Sequence, residues 1–210
     1  LAGRTKEQDD FQTHLAQKPV LQNVILTGLR GVGKTVLLQT FKPLAQKAGW
    51  LWAGNDVSEA ASLTEERVAR RIVTDLSVLL GPIIVKRQES FPFGFNIQIE
   101  EQKIPVKFED LWKIYEETPG LTEDKIKTVL KAVQDMLAGS HINGIVFAYD
   151  EAQNLGDHAV DKEYPLSILL DVFSSIQRDH TKTPILLVLT GLPTLFPKLN
   201  EARTYTERMF

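Results

Sequence analysis

Residues 23–35 read Asn23-Val-Ile-Leu-Thr-Gly-Leu-Arg-Gly-Val-Gly-Lys-Thr35, and this stretch decides the fold. Its first part, Asn23 to Thr27, is a short apolar run ending at a glycine loop, the pattern of a buried strand. Its second part, Gly28 to Thr35, matches G-x-x-x-x-G-K-[ST] in full, and helical spacing follows from Val36 to about Lys47. Strand, glycine-rich loop and helix in that order form the context in which this motif cradles phosphate. Glycine lets the backbone turn where other residues cannot, and lets it come close to a ligand. The expected cofactor-binding set is Gly28, Arg30, Gly31, Val32, Gly33, Lys34, Thr35 and Val36. Amides from about Gly31 to Val36 would point at phosphate oxygens from a helix N-terminus. Lys34 would bridge the terminal phosphates of ATP, and the Thr35 hydroxyl would ligate Mg2+. The plain alternative is a glycine-rich turn with an incidental lysine.

Outward from the loop, strands and helices alternate. Trp50-Leu-Trp52, Ile145 to Tyr149 and Ile185 to Leu189 are further short apolar runs. Helical spacing joins Val68, Ile72, Val73, Leu76 and Leu80 behind Ser62-Leu-Thr-Glu65, which reads as a capping box. It also joins Ile126, Val129, Leu130, Val133 and Leu137, closed by Gly139. Pro165 suits the first turn of a helix facing inward with Leu166, Leu169, Leu170, Phe173 and Ile176. Strands this apolar, separated by helices, predict an α/β fold with a parallel sheet flanked by helices on both faces.

Residues 83–120 break the rhythm. Ile97 and Ile99, then Ile104 and Val106, alternate around Glu100-Glu-Gln-Lys103, which predicts a hairpin turning at those polar residues. A short helix over Glu109 to Glu117 follows. Residues 1–210 read as a single core domain carrying 83–120 as an insert.

Composition bounds the rest. With 43% hydrophobic and 24% charged residues the chain is ordinary globular material. The absence of cysteine removes disulfide scaffolds, thiolate zinc sites and cysteine nucleophiles. His14, His141, His158 and His180 have no metal-ligand spacing. A net charge of −3 attracts neither nucleic acid nor an anionic membrane. No secretory signal opens the chain, so a cytoplasmic location is expected. A start at Leu1 and a stop in mid-pattern at Phe210 read as a piece of a longer protein.

Asp150-Glu151 completes the chemistry. An apolar strand followed by acids places carboxylates at the carboxyl end of a buried strand, where open α/β sheets bind ligands. Asp150 would hold the Mg2+ shell beside Thr35, and Glu151 would polarise an attacking water. A glutamate directly after the metal aspartate suits hydrolysis rather than phosphoryl transfer to a substrate. No N-K-x-D follows, which disfavours a guanine-reading GTPase. The plain alternative is two acids capping a loop.

The loop together with Ile145-Val-Phe-Ala-Tyr-Asp-Glu-Ala-Gln153 resembles the AAA+ ATPases, in particular their origin-recognition-like branch and its bacterial relatives. Gly3-Arg4-Thr-Lys-Glu7, followed by Phe11 and Leu15, resembles the G-R-x-x-E start of those proteins. The resemblance covers roughly residues 3–50 and 142–210. It implies a five-stranded sheet with the P-loop strand central and the fifth strand beginning near Phe210. It also implies a helical lid, truncated or absent here. Thr190 falls where the family carries a polar sensor of the γ-phosphate or water, although asparagine is commoner there. Arg203 and Arg208 fall where the family often presents an arginine to a neighbouring subunit's nucleotide, Arg208 lying closer to the expected strand.

The leading expectation is an ATP-hydrolysing switch, working as a homo-oligomer, that couples nucleotide state to assembly or to a protein partner. A DNA transaction would engage DNA through regions outside these residues. The alternative is a signalling or defence scaffold in which ATP binding is a lock with little turnover.

Overall fold

A computed structural model describes residues 3–17, 19–20, 22–54, 56–57, 64–81, 84–93, 96–179, 183–203 and 206–210. Helix α1 (Thr5–Ala16) leads into β1 (Val24–Thr27), the phosphate-loop motif and α2 (Lys34–Lys47). Strand β2 (Trp50–Ala53) and α3 (Glu65–Leu80) follow. Next come β3 (Ile84–Phe93), β4 (Asn96–Pro105), α4 (Phe108–Glu117) and α5 (Thr122–Leu137). The chain then forms β5 (Gly144–Tyr149), α6 (Pro165–Arg178), β6 (Ile185–Gly191), α7 (Leu195–Ala202) and the single turn α8 (Thr206–Met209).

Strands β1, β6, β5 and β2 lie side by side in that order, each pair parallel. Period-two alternation divides β5 between two layers of core. Ile145, Phe147 and Tyr149 join one apolar cluster with α3, α4, α5 and α6, whereas Val146 and Ala148 join another with α1 and α2. Strand β6 splits the same way, Leu187 and Leu189 against Leu186 and Val188. Both faces are therefore buried, which is why these strands read as unbroken apolar runs. Phe147 meets Phe173 of α6 edge to face at 5.1 Å. Phe11 of α1 stacks on Phe41 of α2 at 4.2 Å. Such pairs add ~0.5–1.5 kcal/mol each beyond the area they bury.

The structure departs from the sequence expectations in three places. Among the described residues the parallel sheet has four strands with β1 at an edge, and residues 206–209 form a helical turn. The Met209 carbonyl accepts the Asn23 N–H at 2.5 Å, so this turn sits against the start of β1. Second, the insert is a hairpin but does not turn at Glu100 to Lys103. Those residues lie inside β4, where Glu100 pairs with Glu89 and Lys103 with Lys86, and the pairing runs on to Phe93 with Asn96. The polar run misled because a two-stranded ribbon has no face that must be apolar, so polarity there does not mark a turn. Third, α3 is capped by Thr64, whose hydroxyl accepts the Arg67 N–H at 3.2 Å. A cap of this kind contributes ~1 kcal/mol. Ser62, the expected cap, lies outside the described residues, as do residues 94 and 95 of the aromatic stretch in the insert. Among the described residues no helix is long and apolar enough to cross a membrane.

Candidate functional site

The sheet register builds the site. Leu26 pairs with Thr190 and Tyr149 with Leu189, so Thr190 and Asp150 leave adjacent strands at the same level. The loop after β1 rises at that same carboxyl edge, and the Gly28 N–H donates to the Gly191 carbonyl at 3.2 Å, tying it to β6.

Gly31 and Gly33 have φ of 82° and 86°, in the left-handed region where a Cβ is strained, and Gly33 caps α2. The first amides of α2 have no partner within the helix, and with the helix dipole they favour an anion. Leu29, Arg30, Gly31, Val32, Thr35 and Val36 are exposed, so this surface is open. Lys34 arches back over the loop, its Nζ donating to the Gly28 carbonyl at 2.9 Å and the Leu29 carbonyl at 3.0 Å. Its ammonium is thereby held above the amides that an anion would meet. Arg4, at the start of α1, donates to the Val32 carbonyl at 3.1 Å and to Glu7 at 2.6 Å. Its guanidinium holds the Glu7 carboxyl below the usual carboxylate range.

Asp150 is 2% exposed, yet its carboxylate has three donors from three parts of the chain. Thr35 Oγ1 donates to Oδ2 at 2.5 Å, while Thr190 Oγ1 and the Glu151 N–H, the latter at 2.8 Å, donate to Oδ1. A buried carboxylate is tolerated only with such donors. Its own backbone is pinned as well, the carbonyl accepting the Val57 N–H at 2.9 Å. Just before it, burial and the Asp75 carboxylate push the Tyr149 hydroxyl well above its ordinary range, so that ring stays neutral. Glu151 sits in the left-handed region at φ 53°, uncommon for a residue with a side chain and a mark of functional corners.

These positions suit a hard cation with phosphate. The Thr35 hydroxyl and the Asp150 carboxylate put two oxygen donors side by side, and Mg2+ takes one or two protein oxygens while phosphates and water fill its shell. Among the described residues no group of three or more His, Cys, Asp or Glu could cage a metal on its own.

The structure thus gathers Lys34, Thr35, Asp150, Glu151 and Thr190 at one edge. It does not bring Arg203 there. Arg203 forks onto Asp171 of α6, with Nε donating to Oδ1 at 2.8 Å, and reaches Ser167 Oγ at 2.9 Å. Arg208 is exposed on α8 and makes no ion pair among the described residues. Two contacts had no assigned role in the sequence. Arg4 stood only as part of a family pattern, and Gln153 only as the end of the Asp-Glu-Ala-Gln run. Gln153 reaches Glu151 through its side-chain amide. The Arg4 contact has no spacing rule, because it joins a side chain to a loop set by tertiary packing; Gln153 lies only two residues from Glu151, and tertiary packing sets its longer reach to Leu192.

No protein-family model and no curated protein sequence matches the chain. Solved structures do. The chain is similar to the ORC2 protein of Aeropyrum pernix in its ADPNP–ADP complexes, with a TM-score of 0.58 at 16% identity, covering 100% of this chain and 47% of that one. The ADP form of the same protein matches with a TM-score of 0.54 at 15% identity, over 99% and 46%. The chain spans less than half the length of these solved chains.

Proposed function

From an origin-recognition-like AAA+ fold, we propose that this chain is the ATP-binding and hydrolysing core of a nucleotide-dependent switch. The observation that carries the reading is the Asp150 carboxylate, bound at once by the phosphate-loop Thr35 and by Thr190 at the end of β6. A carboxylate that joins a glycine-rich loop at a helix N-terminus to the end of the neighbouring strand is placed to couple the two when a nucleotide's phosphates and cation bind there. The similar ORC2 structures were solved with ADPNP and ADP, which supports the same ligand class here.

On this reading the amides of residues 31–36 receive the phosphates, and Lys34 leaves its loop carbonyls to bind the terminal ones. Thr35 and Asp150 would hold Mg2+, which would neutralise charge building on the phosphates. Glu151 orients the attacking water and takes its proton as the water oxygen bonds to the terminal phosphorus and ADP leaves. Thr190 reports to Asp150 whether that phosphate is present. An arginine of a second copy, Arg208, completes the site, so the switch works as a homo-oligomer. Nucleotide state then shifts populations of assembled and free forms, which is the purpose of a slow ATPase.

Thermal unfolding with and without ATP and Mg2+ tests the reading. A ligand held only by the folded state at about 100 times its Kd should raise the melting temperature by roughly 5–10 °C. Lys34→Ala should abolish the rise. No rise in the wild-type protein at saturating ATP overturns the proposal.

A further inference from the structure

Glu151 is held by more than its backbone. The Gln153 side-chain amide donates to Glu151 Oε2, and Gln153 Oε1 accepts the Leu192 N–H at 3.0 Å, one residue beyond the end of β6. The Gln153 backbone carbonyl also accepts Lys198 Nζ of α7 at 2.7 Å. Gln153 is thus the hub between the proposed base, the loop after Thr190, and α7. Position 191 leaves room for it and for buried Leu195, for a Cβ on Gly191 would fall 2.6 Å from Gln153 Oε1 and 2.9 Å from Leu195 Cδ2.

We infer that Gln153 is a positioning residue that fixes the Glu151 carboxylate relative to the loop after β6. The inference rests on the hydrolytic reading above. The left-handed backbone sets the direction in which the Glu151 side chain leaves the chain, and two side-chain torsions and the carboxylate rotation stay free. One amide donor on Oε2 removes much of that freedom and leaves Oε1 for water. Because the donor is anchored on Leu192, the carboxylate's placement follows the same loop that carries Thr190. A movement of Thr190 on sensing phosphate would therefore also move the group that holds the base. Misplacement by about 1 Å can cost ~10²-fold in rate, so this one contact is worth detecting.

The test uses steady-state hydrolysis, nucleotide affinity and melting temperature on the full chain. Gln153→Leu keeps the length and drops the amide; it should lower kcat by roughly tenfold or more with KM and ATP affinity within about twofold. Gly191→Ala leaves Gln153 in the sequence but displaces its amide, and should lower kcat in the same way. In kcat the two together should cost no more than the worse of them, because both disturb the Gln153 contact, while the crowding of Leu195 by Gly191→Ala shows in melting temperature. Glu151→Gln separates the two levels of the argument. If it hydrolyses as fast as wild type, the hydrolytic reading itself fails. If it is inactive while Gln153→Leu keeps wild-type kcat, only the positioning role fails. A rise in kcat in Gln153→Leu also overturns it, since the contact would then be a brake. A joint loss of melting temperature, affinity and kcat overturns it too, as the residue would then be structural.

Discussion

The Thr35 hydroxyl donates to Asp150 Oδ2 at 2.5 Å, joining two residues 115 positions apart at the open edge of the sheet. One comes from the first turn of α2, which follows β1, and the other from the end of β5, and β1 and β5 do not pair, since β6 lies between them. Thr190 at the end of β6 closes that gap by binding the other Asp150 oxygen.

Removing the charge at Asp150 should separate cation from nucleotide. Asp150→Asn keeps one acceptor oxygen for Thr190 and the Glu151 N–H and turns its NH2 toward the exposed Thr35 hydroxyl, which can rotate to accept it, whereas Asp150→Ala strands the buried Thr190 hydroxyl and costs ~1–3 kcal/mol of stability. ATP affinity measured with Mg2+ and with EDTA should differ in the wild type and be nearly equal in Asp150→Asn. A wild-type difference in the variant would take Asp150 away from the cation.

Thr190→Val preserves shape and deletes one donor. Asp150 keeps Thr35 and the Glu151 N–H, so ATP binding should survive while turnover falls roughly tenfold or more, the scale of one lost electrostatic donor. The comparison to make is kcat against Kd. Turnover equal to wild type would leave Thr190 as a tether of Asp150 and nothing more.

The two arginines near the end of the chain should behave differently. Arg203→Ala removes a fork from the half-buried Asp171 and should cost ~1–2 kcal/mol, less than a fully buried pair because water reaches it. Arg208→Ala should leave the melting temperature unchanged, being exposed. If Arg208 acts on a neighbour's nucleotide, turnover per subunit rises with protein concentration, and Arg208→Ala mixed with Lys34→Ala recovers activity that neither has alone. An arginine in trans contributes ~10³–10⁵ in rate, so the recovery is easily measured. Turnover that stays flat over a hundredfold dilution would exclude the mechanism.

Acid should weaken the packing of α1. His14 is half-buried with its Nδ1 enclosed and without a partner among the described residues, and burial pushes its pKa below the ordinary 6.5. The unfolded chain binds the proton more readily, so His14 contributes stability above about pH 6.5 that is lost as pH falls through the lower folded value. The melting temperature of the wild type should therefore drop between pH 7 and 5 more than that of His14→Gln. Parallel curves would show that His14 is solvated.

The sequence by itself determined the fold class and located the glycine-rich loop of residues 28–35 and the acidic pair after β5. Each rests on local rules: glycines where φ must be positive, apolar runs where both sheet faces are covered, acids where a strand ends. It also marked residues 83–120 as irregular, although α4 within them packs Leu111 and Tyr115 into the main core. What it could not contain is strand order and register, which depend on long-range pairing and alone bring Thr190, Asp150 and Thr35 into one hydrogen-bonded chain. It could not place the hairpin turn, since polar residues carry no burial signal in a two-stranded ribbon. Nor could it see that Arg203 serves Asp171 or that Gln153 reaches Glu151 and Leu192. A side chain's partner is chosen by whatever the fold brings within ~3 Å, and that distance exists only in the packed protein.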